Sequence, residues 1–435
     1  MTQPLSLAIE KAVYGGDGLA HLSASGNRPG KAVFIPFTLP GEIAEAHLLE
    51  EKRNFARAEA TQIITESPQR VTPPCSYFGA CGGCQYQHAQ YETQLAMKHE
   101  ILRETLARAA ISLPKTIETL VGEPWAYRNR VRFAFTVNGK LAYRGRASHT
   151  LIEIASCPIA APALIATAQA IAEWSLAHPA PVPLTEVELF TTPDASELLI
   201  TLFVERSPDK EAARIWLTQL HAALLASVRS LQIELADGAL EPTILAASGS
   251  PTLTYKVAGV PYRIDAGSFF QVNRHLLDSF VQLVLSYVPK ANVAWDLYAG
   301  VGLFAKQLAT YCDHVHAVEI ASASHTALAH NLAGMPAEVI VSTTLDFLKH
   351  NREQREAPPD VILLDPPRAG LGPEVTQLLN AIYAPEIVYV SCDPATLARD
   401  LKALTDERYR IEAITLVDLF PQTFHMETVV HLRRC

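Results

Sequence analysis

Cys392 stands at the end of an apolar run, Glu386-Ile-Val-Tyr-Val-Ser391, and is followed by Asp393-Pro394-Ala395-Thr396 and the helical pattern LARDLKAL. A thiol at a strand end beside a helix N-terminus is expected to have a lowered pKa, and the thiolate is the nucleophilic form. A single cysteine is more often a small buried hydrophobe, so the reading as a nucleophile rests on what surrounds it. A carboxylate that could move protons, Glu427, lies in FPQTFHMETVVHLRR beside the apolar strand VVHL. Spacing alone fits Glu427 equally well as a surface charge.

Three more groups are aimed at the same place. Strand NVAWDL runs into Tyr298-Ala-Gly300-Val-Gly302-Leu-Phe, where the glycines let the backbone turn tightly and approach a ligand. Glu319 ends the next strand, HVHAVEI, at the distance where an acid can bind ribose hydroxyls. Asp365 closes DVILLDPPRAG, and the two prolines behind it stiffen the turn. Ligands of open α/β sheets sit at the carboxyl ends of strands, so Gly300, Glu319 and Asp365 describe a nucleoside crevice. Gly300-Val-Gly302-Leu-Phe-Ala305 also fits the dinucleotide fingerprint G-x-G-x-x-A. A tight turn without ligand, and Asp-Pro-Pro as a plain loop cap, are the bland alternatives.

A separate cluster, Cys75-x5-Cys81-x2-Cys84, lies in PPCSYFGACGGCQYQH, and Cys157 in ASCPIA offers a fourth thiolate. Four thiolates suit an iron–sulfur cluster or structural zinc equally well by softness and geometry. Seven cysteines, an odd number, in a chain without an export signal speak against a disulfide framework. Cys312 and Cys435 have no assigned role.

The chain that must position these groups has 435 residues, 49% hydrophobic and 19% charged, which suits a globular protein of about three domains. Its start, MTQPLSLAIEKAV, has no basic-then-apolar leader, and no run of about 18 apolar residues occurs. The expectation is a cytoplasmic protein with no membrane contact. Residues 1–62 carry short alternating strands between Gly and Pro, as in a small OB-type β-barrel. Proline-broken ESPQRVTPP precedes a central α+β domain over 70–262, which holds the cysteine cluster. From 263 to 435 apolar strands alternate with helical patterns, the rhythm of a Rossmann-like α/β domain with a parallel sheet.

Ser268-Phe-Phe-Gln271-Val-Asn273, DLYAGVG, DPPRAG, SCDPATLARDL and FPQTFHMETV together resemble the uracil-5 RNA methyltransferases that carry an N-terminal TRAM domain, in their iron–sulfur type. With the barrel and the cysteine cluster, the resemblance covers nearly the whole chain. It implies methyl transfer from S-adenosylmethionine to carbon 5 of a uridine, in 23S ribosomal RNA or alternatively in transfer RNA. Carbon 5 of uracil is a poor nucleophile. Adding a thiolate to carbon 6 creates an enolate that can attack the methyl group, and a base must then remove the carbon-5 proton. The resemblance assigns these roles to Cys392 and Glu427. It matches Gln271, Tyr298, Glu319 and Asp365 to cofactor contacts, with Gly300 in the turn, and it turns Cys75, Cys81, Cys84 and Cys157 toward a [4Fe–4S] cluster. Leu303 departs from the polar residue that members often carry after the second glycine, and a further cofactor contact falls near Asp346.

A net charge of −9 weighs against a nucleic-acid partner, although a local basic stripe can overcome the global sign. From Trp125 to Arg146 the chain holds Arg128, Arg130, Arg132, Lys140, Arg144 and Arg146 and no acid. Alternation puts Arg128, Arg130 and Arg132 on one face and Val131, Phe133 and Phe135 on the other. The basic face is either phosphate-binding or merely solvated. The barrel would add a single-strand platform, and the target base would leave its stack to reach Cys392. RNA is thus the expected partner, for a monomer with no protein partner. Two other classes compete: a dinucleotide and iron–sulfur oxidoreductase, and a non-catalytic RNA-binding adaptor.

Overall fold

The computed structural model describes residues 4–22, 30–238, 242–355, 357–406 and 408–435; the first three residues of the chain and part of the segment read as a barrel lie outside that set. Two compact units emerge from the contacts. One comprises Met1–Thr105, Arg144–Ile152 and Phe420–Met426, the other Leu106–Tyr143, Glu153–Leu419 and Glu427–Cys435.

The first unit opens with β1 (Leu5–Ala8), β2 (Lys11–Ala12), β3 (Asp17–His21), β4 (Ala32–Pro36), β5 (Ile43–Glu51) and β6 (Phe55–Thr65), in sheet order β1-β5-β6-β4-β3-β2. β1 and β2 are joined by Ile9 and Glu10 alone yet lie at opposite ends of that order, so the sheet curls round on itself. Its inside is lined by small or branched residues, among them Ala20, Val33, Ile35, Ala44, Ala46, Ala56 and Ala58. Small side chains at alternate positions are what a narrow barrel admits. β6 was not foreseen, and it runs past the expected end of this region. Helix α1 (Tyr91–Arg108) follows the cysteine-bearing loops.

The chain then forms β7 (Glu118–Leu120), β8 (Arg130–Phe135), β9 (Leu141–Arg144), β10 (Leu151–Glu153), α2 (Pro162–Ala177), β11 (Leu184–Thr191), β12 (Leu198–Val204), α3 (Lys210–Ala223), β13 (Val228–Leu235) and β14 (Thr243–Gly249), all in the second unit except Arg144 of β9 and Leu151 and Ile152 of β10. The run β9-β8-β11-β12-β13-β14 forms one sheet. Every residue of β12, LLITLFV, is buried, as a strand covered on both faces requires. β15 (Thr252–Val257) and β16 (Val260–Asp265) make a hairpin.

The chain continues through α4 (Leu277–Ser286), β17 (Ala291–Leu297), α5 (Ala305–Leu308), β18 (Cys312–Glu319), α6 (Ser322–Leu332), β19 (Ala337–Val341), α7 (Thr344–Gln354), β20 (Val361–Leu364), α8 (Gly372–Ile382), β21 (Glu386–Ser391), α9 (Pro394–Thr405), β22 (Tyr409–Val417) and β23 (Glu427–Arg434). The sheet order is β19-β18-β17-β20-β21-β23-β22-β7. β17 to β21 are parallel, and β23 runs antiparallel to both neighbours. This is the Rossmann-like α/β arrangement expected. Strand order reverses between β17 and β20, which makes a topological switch point at their carboxyl ends. β14 to β16 and β22 were not anticipated, nor was the pairing of the short β7 with β22.

Candidate active site

The turn after β17 is built on left-handed backbone. Tyr298 has φ 73°, Gly300 56° and Gly302 89°. The N–H groups of Tyr298 and Ala299 donate to the Val318 carbonyl at 3.1 and 3.0 Å, which ties the turn to β18. A Cβ on Gly302 would lie 2.9 Å from Leu328 Cδ1, whereas one on Gly300 would meet nothing within 4 Å. Both positions favour glycine through their left-handed backbone, and Gly300 also leaves the space beside it open. Leu303 is buried and its carbonyl accepts the Tyr262 hydroxyl at 2.9 Å. The departure from a polar residue is absorbed by the core.

Glu319 ends β18 with its carboxylate clasped by backbone. Oε2 accepts from Gly300 N at 2.8 Å, and Oε1 accepts from Ile320 N at 2.8 Å and Ala321 N at 2.6 Å. The register pairs Asp296 with Leu363 and Leu297 with Leu364, so Asp365 follows directly beside the Tyr298 turn. Asp365 is half-buried, and burial pushes its pKa up to about 7. Asp296, one residue before the end of β17, is wholly buried, and neither carboxylate oxygen makes a well-formed hydrogen bond. Burial, and then the Asp365 carboxylate, push its pKa up to about 8. Sequence reasoning passed over Asp296, although an acid inside an apolar strand was a usable signal.

Tyr298 reaches Thr344 with its hydroxyl. Gln271 is buried and its carbonyl accepts Asn129 Nδ2 at 3.0 Å, while nearby Phe269 is 67% exposed. Asp346 is different: it is exposed, and it forms a helix cap with Thr343, whose hydroxyl donates to it at 2.7 Å and accepts its N–H at 3.0 Å. That side chain serves α7 rather than the crevice.

The ladder between β21 and β23 ends at the pair Ser391 and Thr428. Extending that register by one step leads from Ser391 to Cys392 and from Thr428 to Glu427, and the Glu427 carboxylate is close enough to act on the Cys392 thiol. Glu427 is 3% exposed and its Oε1 has no hydrogen-bond partner. Burial and the Asp365 carboxylate hold its pKa well above the usual range, against the pull of Arg368. The expected lowering of the Cys392 pKa does not occur. Burial, then Glu427 and Asp365, push it up to about 12, and Arg368 only partly offsets them. The N-terminus of α9 is instead capped by Asp393, which accepts from Ala395 N and Thr396 N at 2.9 Å each. Arg368, which lies in DPPRAG, is a second participant that residue spacing did not single out.

The loop behind Asp365 is bolted to α9. Buried Asp400 accepts from Leu371 N at 2.7 Å, Gly372 N at 3.3 Å, the Tyr389 hydroxyl at 2.9 Å and Arg399 Nε at 2.9 Å. Arg399 also donates to the Ala369 carbonyl at 2.8 Å, and the Thr396 hydroxyl to the Arg368 carbonyl at 3.2 Å. The helix that follows Cys392 thus fixes the turn that carries Asp365 and Arg368.

In the first unit, Cys75, Cys81 and Cys84 are half-buried in a turn-rich stretch, and Cys157 belongs to the second unit. The Gly83 N–H already donates to Cys81 Sγ at 3.4 Å. No disulfide joins the described cysteines. Among the described residues, the metal-ligating side chains gathered within 4.8 Å of one another are His314, His316 and Glu338, not the thiols. A cubane holds its thiolates on separate corner irons, farther apart than the ligands of a single ion.

The basic stripe also differs from expectation. Val131, Phe133 and Phe135 are buried as foreseen. Arg132, however, pairs with Glu186 at 2.6 Å and lies 3.8 Å over the Phe203 ring, and Arg130 is 3.8 Å from Glu188 and 4.4 Å over Phe190. The acids come from β11, the antiparallel neighbour, which a one-strand reading could not supply. Among the described residues no helix is long and apolar enough to cross a membrane.

Comparison with known proteins agrees with this architecture. Residues 90–345 and 348–435 match the family described as tRNA (Uracil-5-)-methyltransferase, and residues 5–61 match the TRAM domain. A relative from Halomonas elongata, named 23S rRNA (uracil(1939)-C(5))-methyltransferase RlmD, is 31% identical over 98% of this chain and 89% of its own. The protein of the same name from Edwardsiella ictaluri is 34% identical over 92% of this chain and 90% of its own. The crystal structure of Pyrococcus abyssi tRNA (uracil-54, C5)-methyltransferase with S-adenosyl-L-homocysteine has the same fold. Its TM-score is 0.77 at 24% identity, over 98% of this chain and 99% of that one.

Proposed function

The chain belongs to the tRNA (uracil-5-)-methyltransferase family and carries a TRAM domain, and from that premise we propose that it methylates carbon 5 of one uridine in 23S ribosomal RNA, with Cys392 as nucleophile and Glu427 as base. The RNA is taken from the names of the relatives that span its length. Transfer RNA is the second reading, suggested by the name of the Pyrococcus abyssi enzyme. The single observation that carries the site is that Cys392, Glu427 and Asp365 lie close enough to act on one another's charge, at the end of the β21–β23 ladder.

The crevice suits S-adenosylmethionine. Gly300 opens the backbone, Glu319 sits where an acid receives a ribose, and Gln271 and Tyr298 complete the set of contacts read from the sequence. Buried Asp296 and Glu427 and half-buried Asp365 gather acid near the place where a sulfonium would lie, and a cation there favours their charged forms. The cofactor supplies an electrophilic methyl group. The residues of the chain do the rest. The thiolate form of Cys392, its proton given up to solvent, bonds to carbon 6, and the electrons of the 5,6 double bond pass toward carbon 5 as an enolate, which makes carbon 5 nucleophilic. After carbon 5 takes the methyl group, the carboxylate of Glu427 removes its proton. The electrons of that C–H bond restore the ring double bond, and the carbon 6–sulfur bond breaks.

A [4Fe–4S] cluster on Cys75, Cys81 and Cys84 belongs to the same reading. Half-buried thiols beside glycines, with an N–H already on one sulfur, suit thiolate ligands better than inert core cysteines. Cys157 as fourth ligand rests on the Cys-Pro motif alone. Residues 1–62, 70–262 and 263–435 would divide the work into RNA platform, cluster-bearing domain and catalysis.

The test is to offer methyl-labelled cofactor with unmodified 23S ribosomal RNA and with unmodified transfer RNA. Label at one uridine of 23S RNA is expected, together with a covalent complex on RNA carrying 5-fluorouridine. Label on transfer RNA alone would move the substrate. Full activity of Cys392→Ala would remove the mechanism. Anaerobically prepared protein should be brown, and a colourless zinc protein would remove the cluster.

A further inference from the structure

β18 carries two histidines, His314 and His316, two residues apart and hence on one face of the strand. Its parallel neighbour, β19, sets Glu338 directly beside His316. A ring nitrogen of each histidine and a carboxylate oxygen of Glu338 lie within 4.8 Å of one another. This is unusual for the element that holds it. Strands of a parallel sheet are ordinarily apolar on both faces, and β18 obeys that rule on its other face, where Val315 and Ala317 are wholly buried.

The rings are also constrained. His314 and His316 meet edge to face at 4.9 Å, and His316 lies 6.3 Å from Trp295 and 6.2 Å from Phe347. Both histidines are half-buried, while Glu338 is exposed and able to swing.

We propose that His314, His316 and Glu338 bind a divalent late transition-metal ion of the zinc class, with water as a fourth ligand. Two imidazoles and one carboxylate are a donor set such ions take, and three protein ligands leave a position open. Bonds of about 2.0 Å place tetrahedral ligands about 3.3 Å apart, so donors within 4.8 Å of one another close by up to about 1.5 Å, a movement the exposed Glu338 side chain can supply in part. The ion would tie the edge strand β19 to β18, and so steady the strand that ends in Glu319.

Equilibrium dialysis of the full-length protein against Zn²⁺, with the bound metal counted, tests the site. Thiols that take up zinc contribute equally to wild type and variant and cancel in the difference. Wild type should hold one more equivalent than His314→Ala. Glu338→Gln, at an exposed position that does not threaten folding, should weaken that equivalent by at least about tenfold, the lower end of what even outer-shell changes cause. Cu²⁺ as a second probe should show nitrogen hyperfine splitting in wild type that is lost in His314→Ala. Equal uptake by all three proteins, or an unchanged copper spectrum, overturns the proposal.

Discussion

Cys392 and Glu427 each lie one position beyond the last pair of the β21–β23 ladder, Ser391 with Thr428, and the Glu427 carboxylate raises the pKa of the Cys392 thiol. Two groups that both prefer to keep their protons are thereby placed across a gap with Asp365 close by. A positive charge placed beside them favours their ionised forms.

Replacing Glu427 by glutamine keeps the shape and removes the proton acceptor. Turnover should fall by about 10²- to 10⁴-fold, the range for loss of a general base. Cys392 should still add to carbon 6, so a protein–RNA adduct should build up with natural uridine. Denaturing gels of the reaction read this directly. Loss of turnover with no adduct would assign Glu427 to an earlier step.

Cys392 should alkylate slowly at neutral pH. Its pKa is pushed up to about 12 from 9.0, so at pH 8 far less thiolate is present than for an ordinary thiol. The rate with iodoacetamide should climb through pH 9 to 10 instead of levelling off. Asp365→Asn removes one of the charges that raise it, and each unit by which the pKa then falls gives about tenfold more thiolate. Peptide-resolved mass spectrometry separates Cys392 from the other cysteines.

Asp400→Asn should loosen the turn behind Asp365. An amide cannot accept from Leu371 N, Gly372 N, Tyr389 and Arg399 together. Leaving buried donors unpaired costs about 1–3 kcal/mol, visible as a lowered urea midpoint. Because Arg368 and Asp365 ride on that turn, kcat should fall at saturating RNA. A normal kcat in the destabilised variant would show that the clasp serves folding alone.

Alanine at the two glycines should separate packing from binding. Gly302→Ala strains a left-handed backbone, which should cost about 1–2 kcal/mol, and brings its methyl group to 2.9 Å from Leu328 Cδ1, the end of a side chain that can shift. Gly300→Ala meets no neighbour, and its left-handed backbone should cost about 1–2 kcal/mol. Cofactor affinity should nevertheless drop more in Gly300→Ala. Thermal melts and titration calorimetry on the two variants give the comparison.

Much of this was legible in the sequence because strand ends announce themselves. Gly300, Glu319, Asp365 and Cys392 each terminate or follow an apolar run, and a parallel sheet brings such ends to one edge. The charge state of Cys392 was not legible. It depends on carboxylates contributed by the turn after β20 and by β23, and a local rule about helix N-termini sees neither. Arg130 and Arg132 misled for the same reason, since Glu186 and Glu188 reach them from a strand far along the chain. Asp296 was hidden inside a motif read for its glycines, and Asp400 inside a helix read for its periodicity.

The short strand β7 has a bearing on how the molecule is made. Glu118, Thr119 and Leu120 lie parallel to Thr415, Leu416 and Val417 of β22 and so finish one edge of the sheet that carries Cys392. On the ribosome that piece emerges long before its partner, and the edge cannot be sealed until the last strands are out. A polypeptide cut at the start of the Rossmann-like part would lose β7 and bare a row of backbone donors and acceptors on β22, an invitation to join a neighbouring molecule's sheet.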